Sequence, residues 1–211
     1  MKGLIALFAA AGLATTASAD LLALWTFEAS VPITAGPHAA EGGVVGGNAS
    51  GFHADQGVVY SNPVGNGSNE SFSSNFWGAN DYYQFTTSTS GYENITFGWS
   101  QTRSSTGPGS FRVQLSTDGT NFSDLLNYNI DVITWSSLAN NPLSDFAAIS
   151  LGIAAENQGT VWVRLTSNVA GSGTAGTNRV DDIYFNGDLI PAPGSLALLG
   201  LGGLVAGRRR R

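Results

Sequence analysis

Hydrophobic positions in this chain recur every second residue. In FRVQLS, Phe111, Val113 and Leu115 fall on one face while Arg112, Gln114 and Ser116 fall on the other, which is the pattern of a half-buried strand. The run enters TDGT, and Asp118-Gly119 is a dipeptide preferred by tight hairpins because both central positions take positive φ. Phe122 to Leu126 is the expected return strand. ENITFGWSQ repeats the alternation with Ile95, Phe97 and Trp99, and TVWVRLT repeats it with Val161, Val163 and Leu165. DYYQFTT, DFAAISL and RVDDIYFNG read as further strands, and LLALWTFE as the first. Short strands separated by turn-rich text such as SNPVGNGSNES and SNVAGSGTAGTN predict an all-β fold, a single antiparallel β-sandwich of jelly-roll type. The segments Val31 to Phe52 and Trp135 to Pro142 are too irregular for hairpin turns and are expected as loops at the sandwich ends.

The two termini break the pattern. The opening MKGLIALFAAAGLATTASAD has Lys2, an apolar run from Gly3 to Leu13, and small residues Ala17 and Ala19 flanking Ser18, the layout of a secretory signal helix cut before Asp20 by signal peptidase. At the other end every residue from Pro193 to Gly207 is apolar or small, a run of about 22 Å if helical. Leu189 and Ile190 bring it near the thickness of a bilayer core, and terminal arginines can snorkel to the headgroups. The expected organisation is thus residues 1–19 as signal peptide, 20–188 as the β-sandwich, and 189–211 as a short transmembrane anchor with a basic tail.

Charge sharpens this division. All fifteen acidic residues but only four of the nine basic ones lie between Asp20 and Asp188, so that stretch carries −11 against −6 for the whole chain. Such a body repels phosphate backbones, which excludes nucleic acid as a partner. Arg208, Arg209, Arg210 and Arg211 stay on the cytoplasmic side by the positive-inside rule, leaving the acidic domain outside. The absence of cysteine excludes disulfides, thiolate metal sites and cysteine nucleophiles, and does not exclude export.

The order of proline-containing triplet, short glycine-rich span and arginine cluster resembles the PEP-CTERM sorting signal of Gram-negative bacteria. The triplet here is Pro191-Ala192-Pro193, with alanine where that family has a central glutamate. The resemblance implies that Pro191, Ala192 and Pro193 form the recognition and processing site, and that Leu196, Leu198, Leu199, Leu201, Leu204 and Val205 belong to a transient anchor. It further implies that Arg208 to Arg211 retain the tail, that an exosortase-type protease acts in trans, and that the host makes exopolysaccharide. The expected function is therefore that of an exported cell-surface or extracellular-matrix protein, non-enzymatic and associated with exopolysaccharide.

A second resemblance concerns the body. FRVQLSTDGTNFSDL, and the pairing of WTFE with RVDDIYFNG, resemble discoidin-like and related carbohydrate-binding jelly-rolls. Several of those families hold a structural calcium where first and last strands meet, which here implies Glu28 with Asp181 or Asp182, carboxylates being suited to a hard cation. A carbohydrate-binding module is accordingly the alternative function. Trp77 and Trp135 in expected loops, and Trp162 on the same strand face as Arg164, are the candidate sugar-stacking residues. Trp25 and Trp99 share parity with apolar neighbours and are expected inside. His38 and His53 lack any motif partner and are expected as loop residues. A polysaccharide hydrolase, the third reading, would draw on two of Glu70, Asp81, Glu93 and Glu156.

Overall fold

The computed structural model describes residues 18–191. Ala17, Ala192, Pro193, the anchor leucines, Val205 and Arg208 to Arg211 lie outside the described residues. Among the described residues no helix is long and apolar enough to cross a membrane.

Two six-stranded antiparallel sheets pack face to face. Sheet A runs β10 (Asp145–Ser150), β7 (Tyr92–Arg103), β12 (Asn178–Leu189), β5 (Phe72–Ser74), β4 (Tyr60–Ser61), while β1 (Asp20–Trp25) pairs with the second half of β12. Sheet B runs β2 (His38–Ala39), β3 (Gly47–Phe52), β6 (Tyr82–Thr87), β11 (Val161–Ser167), β8 (Ser110–Ser116), β9 (Ser123–Asn129). The alternating stretches all form strands, and Ile95, Phe97, Trp99, Phe111, Val113, Leu115, Val161, Val163 and Leu165 are all buried. Val161, Val163 and Leu165 of β11 meet Tyr83 and Phe85 of β6 and Val113 and Leu115 of β8 in register on the inner face. Across the interface Trp25 and Phe97 of sheet A pack against Phe85 of sheet B at 5.5 and 5.9 Å, and within sheet A both also pack against Phe185. Trp99 lies flat on Phe146 at 4.8 Å, with Tyr128 edge-on to both.

The segment Val31 to Phe52, expected as loop, instead contributes β2 and β3. Alternation does not mark β3 (GNASGF) because neighbouring aromatics already fill its inner side. A Cβ on Gly47 would sit 2.1 Å from the Thr86 carbonyl oxygen and about 3.0 Å from the Trp25 ring, and one on Gly51 would strike the Tyr60 ring. Close approach, not hydrophobicity, selects the residues of this strand.

Both histidines are buried; His53 lies in a connecting segment as expected, whereas His38 departs from expectation by lying in a strand. His38 lies in β2, with Nε2 at 2.9 Å from the Thr34 carbonyl and its ring edge-on to Phe72. His53, just past β3, heads a buried polar chain. Its Nδ1 is 3.1 Å from Asp81 Oδ2, its Nε2 is 2.9 Å from Ser74 Oγ, and Ser74 Oγ is 2.9 Å from the Tyr83 hydroxyl, which donates to the Asn178 carbonyl at 2.7 Å. Asp81 also accepts from the amides of Ala54 and Gly78. One carboxylate thereby ties the segment after β3 to the segment before β6 and closes that end of the core.

Replacing Asp81 with alanine leaves the buried His53 ring and the amides of Ala54 and Gly78 without their shared acceptor. Asp81→Ala is expected to cost about 1–3 kcal/mol in urea unfolding at neutral pH, the usual cost of leaving buried donors without their acceptor, since the neutral imidazole strands no charge. Ser74→Ala should cost about 1 kcal/mol. An Asp81→Ala protein as stable as its parent would show that the chain of contacts contributes nothing.

Candidate functional site

The structure disperses the three tryptophans proposed as sugar platforms. Trp77 is 3 % exposed, its Nε1 donating to the Ser74 carbonyl and its ring wedged among His53, Tyr83 and Phe111 at 4.5–5.5 Å. Trp135 is also 3 % exposed, with Nε1 donating to Ser144 Oγ at 2.7 Å and the Arg179 guanidinium above its ring. Neither offers a free face: each loop folds back because an indole buries a large apolar area and finds one acceptor for its N–H. Trp162 stands where its parity with Arg164 places it, half-buried on the outer face of sheet B.

That outer face has an order that spans five strands. One transverse row reads Ser50, Gln84, Arg164, Gln114, Asp124 across β3, β6, β11, β8 and β9. The next row reads Phe52, Tyr82, Thr166, Arg112, Asn127. Five strands at their usual separation make the rows about 19 Å long. Arg164 donates from Nε to Gln84 Oε1 at 2.8 Å, and its guanidinium is clamped between the Tyr82 ring at 3.9 Å and the Phe122 ring at 3.6 Å. Tyr82 in turn stacks on Phe52 at 5.0 Å, and Phe52 is 48 % exposed. The Asp118-Gly119 turn makes the clamp possible. Asp118 gathers the amides of Thr120 and Asn121, Gly119 at φ +73 lies against the Trp162 indole, and the chain then delivers Phe122 onto Arg164. Beside it Gln114 bridges Thr166 Oγ1 and Asp124 Oδ1, and Arg112 spans Asp124, Asn168 and Asn80. The face thus couples an aromatic and guanidinium ridge to a strip of fixed donors and acceptors.

The carboxylates suggested for calcium gather on the other sheet. Asp181 is fully buried at the β12 bulge, where Oδ2 accepts from the Asn66 amide and Ser68 Oγ and Oδ1 from the Asp182 amide. Glu28 accepts from Asn69 Nδ2 and the Glu70 amide. Asp182, at φ +50, lines a recess of about 190 Å³ with Asp145, Ser100, Asn140 and Tyr184, and its carboxylate has no hydrogen-bond partner among the described residues. Burial, then the charge of Asp182, pushes Asp181 up to about 7. Burial, then Asp145 and Glu28, pushes Asp182 up to about 6. Among the described residues no group of three His, Asp or Glu side chains is placed to hold a metal ion, and Glu28 and Asp181 already have protein donors on their oxygens. As folded, this donor set falls short of the six to eight oxygens calcium takes.

The sequence reading missed a chain of catalytic type: Asp81, His53 and Ser74 stand in the order of a hydrolytic triad. Ser74 is 1 % exposed and its hydroxyl also contacts Tyr83, so no substrate carbonyl reaches it and the three residues serve as a core brace. Of the carboxylates considered for hydrolysis, Asp81 belongs to this brace, Glu93 lies on β7, and Glu156 accepts from the Asn94 amide. Glu70, on the segment before β5, bonds Asn62 Nδ2. Glu93 and Glu156 are thus neighbours, Glu156 bonding the amide of the residue after Glu93, while Asp81 is held in the brace.

The raised acids fix a sign for the pH dependence. From about pH 4 to about pH 7 the folded protein holds protons on Asp181 and Asp182 that the unfolded chain has lost, so their contribution to stability falls as pH rises through that window. His53, held below its ordinary value by burial against the pull of Asp81, works oppositely. Comparison of Asp182→Asn with the parent isolates the carboxylate, and asparagine tolerates the positive φ. The variant should melt several degrees higher than the parent at pH 8 and little higher at pH 5, because each kcal/mol moves Tm by about 2–4 °C in a domain of this size. An equal gain at both pH values would contradict the assignment.

No family model matches this chain, and no curated protein matches it. Among solved structures it is similar to the CBM22-1–GH10 modules of the Clostridium thermocellum N-terminal endo-1,4-β-D-xylanase 10B complexed with xylohexaose, at TM-score 0.50 and 14% identity over 82% of this chain and 29% of that one. It is also similar to the K2 cleaved adhesin domain of Lys-gingipain, at TM-score 0.47 and 16% identity over 77% of this chain and 96% of that one. At this identity the likeness is one of fold alone: the chain is an antiparallel β-sandwich.

Proposed function

We propose that this protein is an exported, surface-presented module that binds polysaccharide on the outer face of sheet B. The observation that carries the reading is the ridge Phe52, Tyr82, Arg164, Phe122 set against the polar row Ser50, Gln84, Gln114. Sugars offer apolar C–H faces rimmed by hydroxyls, so a recognition surface needs aromatic area and fixed hydrogen-bonding groups side by side. Supporting this reading is the fold shared with a structure solved with xylohexaose. The rows run across the strands, so an extended chain lying along them meets five strands in succession.

Export and surface retention belong to the same proposal, supported by the leader-like opening and the sorting-signal-like terminus. Signal peptidase would act after Ala19, which is exposed, and an exosortase-type protease near Pro191, also exposed. Exopolysaccharide is the polymer such a location provides. A structural calcium near Glu28, Asp181 and Asp182 stays within the proposal as an ion that would displace existing hydrogen bonds.

Two measurements test these points. On a polysaccharide panel the full-length protein should bind at least one polymer, and Phe52→Ala and Trp162→Ala should each weaken binding by about 3- to 10-fold, the value of an aromatic contact. Tyr184→Ala on sheet A should leave it unchanged. Silence across the panel, or loss only with Tyr184→Ala, would overturn the assignment of the face. Calcium that binds only the folded state raises Tm as its free concentration rises; a melting curve unmoved by chelator removes the ion from the account.

A further inference from the structure

The four arginines among the described residues are used differently. Arg103 donates from Nε and Nη1 to the carbonyls of Ile130, Ser104, Ser105 and Gly107. Arg179 donates from Nη1 to the Val64 carbonyl above Trp135. Arg112 engages Nε, Nη1 and Nη2 together. Arg164 alone has neither Nη group bonded among the described residues, although both faces of its guanidinium are covered by rings and its Nε is fixed by Gln84. Those free Nη groups are not sealed from solvent, since the only buried side-chain nitrogen or oxygen atoms without partners among the described residues are Ser30 Oγ and Asn178 Nδ2.

Its own hairpin neighbours cannot neutralise it. Asp124 is held by Arg112 and Gln114, and Asp118 is occupied by Ser116, Thr120 and Asn121 within its turn. Among the described residues no carboxylate lies within ion-pair distance of Arg164. In a body carrying −11, a guanidinium held in one plane with its outer donors free is a preorganised receptor for an anion. The planar fork matches a carboxylate in bidentate geometry, and the flanking rings exclude water from the pair.

We infer that the outer face of sheet B selects an acidic polysaccharide, a chain of uronate sugars, with Arg164 pairing one sugar carboxylate while the aromatic ridge supports the rings. This rests on the reading of that face as polysaccharide-binding and adds the charge class of the ligand. Fifteen acidic residues make the surface as a whole repel polyanions, so attraction is confined to this face and weakens with salt.

The test compares polygalacturonate, its fully methyl-esterified form, and a neutral xylan, titrated calorimetrically into the full-length protein at low salt. Polygalacturonate should bind about 10- to 100-fold more tightly than its ester, the value of a charge-assisted hydrogen-bonded pair. Arg164→Gln should erase that preference, so that whatever binding the variant shows is the same for acid and ester. Arg164→Lys, which preserves charge without the fork, should retain only part of the preference and guards against loss through misfolding, and the melting curve of each variant is recorded. Equal binding of acid and ester by the parent overturns the inference while leaving the polysaccharide reading intact. A preference unaffected by Arg164→Gln overturns it too, as does Arg164-dependent binding of single-stranded DNA as tight as that of polygalacturonate. Binding to none of the three polymers, with the wider panel silent, removes the underlying reading itself.

Discussion

The aromatic layer between the sheets is the interaction on which the rest of this structure depends. With no cysteine in the chain, the two sheets are joined across their faces by packing, and Trp25, Phe85, Phe97, Phe185 and Trp99 form the middle of that contact. Because side chains alternate strictly along a strand, fixing the inward set fixes the outward set as well. Val161, Val163 and Leu165 hold β11 in register, so Trp162 and Arg164 have no choice but to face outward. A slip of one residue would drive a guanidinium into an apolar core and expose three aliphatic side chains. The open face is therefore as well specified as the core that it covers.

What could be read in advance follows from this. Strands whose inner positions carry large apolar residues, such as β7, β8 and β11, announce themselves by alternation; Asp118-Gly119 correctly marks the β8–β9 connection, but this runs over residues 117–122 with positive φ at Gly119 and not at Asp118, not as a tight two-residue turn. β3 does not, because its inner positions are small where Trp25 and Tyr60 fill the space, and β5 is three buried residues whose strand character comes from pairing with β12. The position of Trp162 was legible from parity with Arg164. The clamp on Arg164 was not, since Tyr82, Phe122 and Arg164 come from distant parts of the sequence and meet only through strand order and a turn. Trp77 and Trp135 lie in loops as expected, but their burial was not legible for the same reason: whether a loop folds back depends on an acceptor elsewhere, here the Ser74 carbonyl and Ser144 Oγ. The Asp81–His53–Ser74 chain was equally invisible, each member sitting in text without a motif.

Charge is partitioned as sharply as hydrophobicity. Arg103 and Arg179 are used on backbone carbonyls at the loop end of the sandwich, which leaves Arg112 and Arg164 as the cations of the open face of sheet B. On sheet A, Asp182, Asp145 and Glu28 stand close enough that the latter two raise the former. The molecule thus has one face that carries guanidinium groups and one recess in which acids repel each other. Net charge alone would have predicted a uniformly anion-repelling protein; the fold makes it directional.

Direction also matters for how the face is presented. Asp20 pairs with Gly187, and the Ile190 amide bonds the Gly91 carbonyl, so both ends of the described chain leave from one end of the sandwich. The Asp81–His53 brace and the 171–177 loop lie at the opposite end, where Asn80 and Phe76 bond Ser167 and Thr174. The strands of sheet B run between these two ends, so its open face lies along the flank of the sandwich and not at the end from which both ends of the described chain leave. A polymer lying across the strands would pass Asp20 and Ile190 without meeting them, and several copies could engage one chain in turn. If each copy binds weakly, binding through several at once raises the effective affinity, provided the spacing lets them engage together. A shallow, flat face is suited to that mode of holding, because a long polymer can settle onto it from the side without threading an end into a closed pocket.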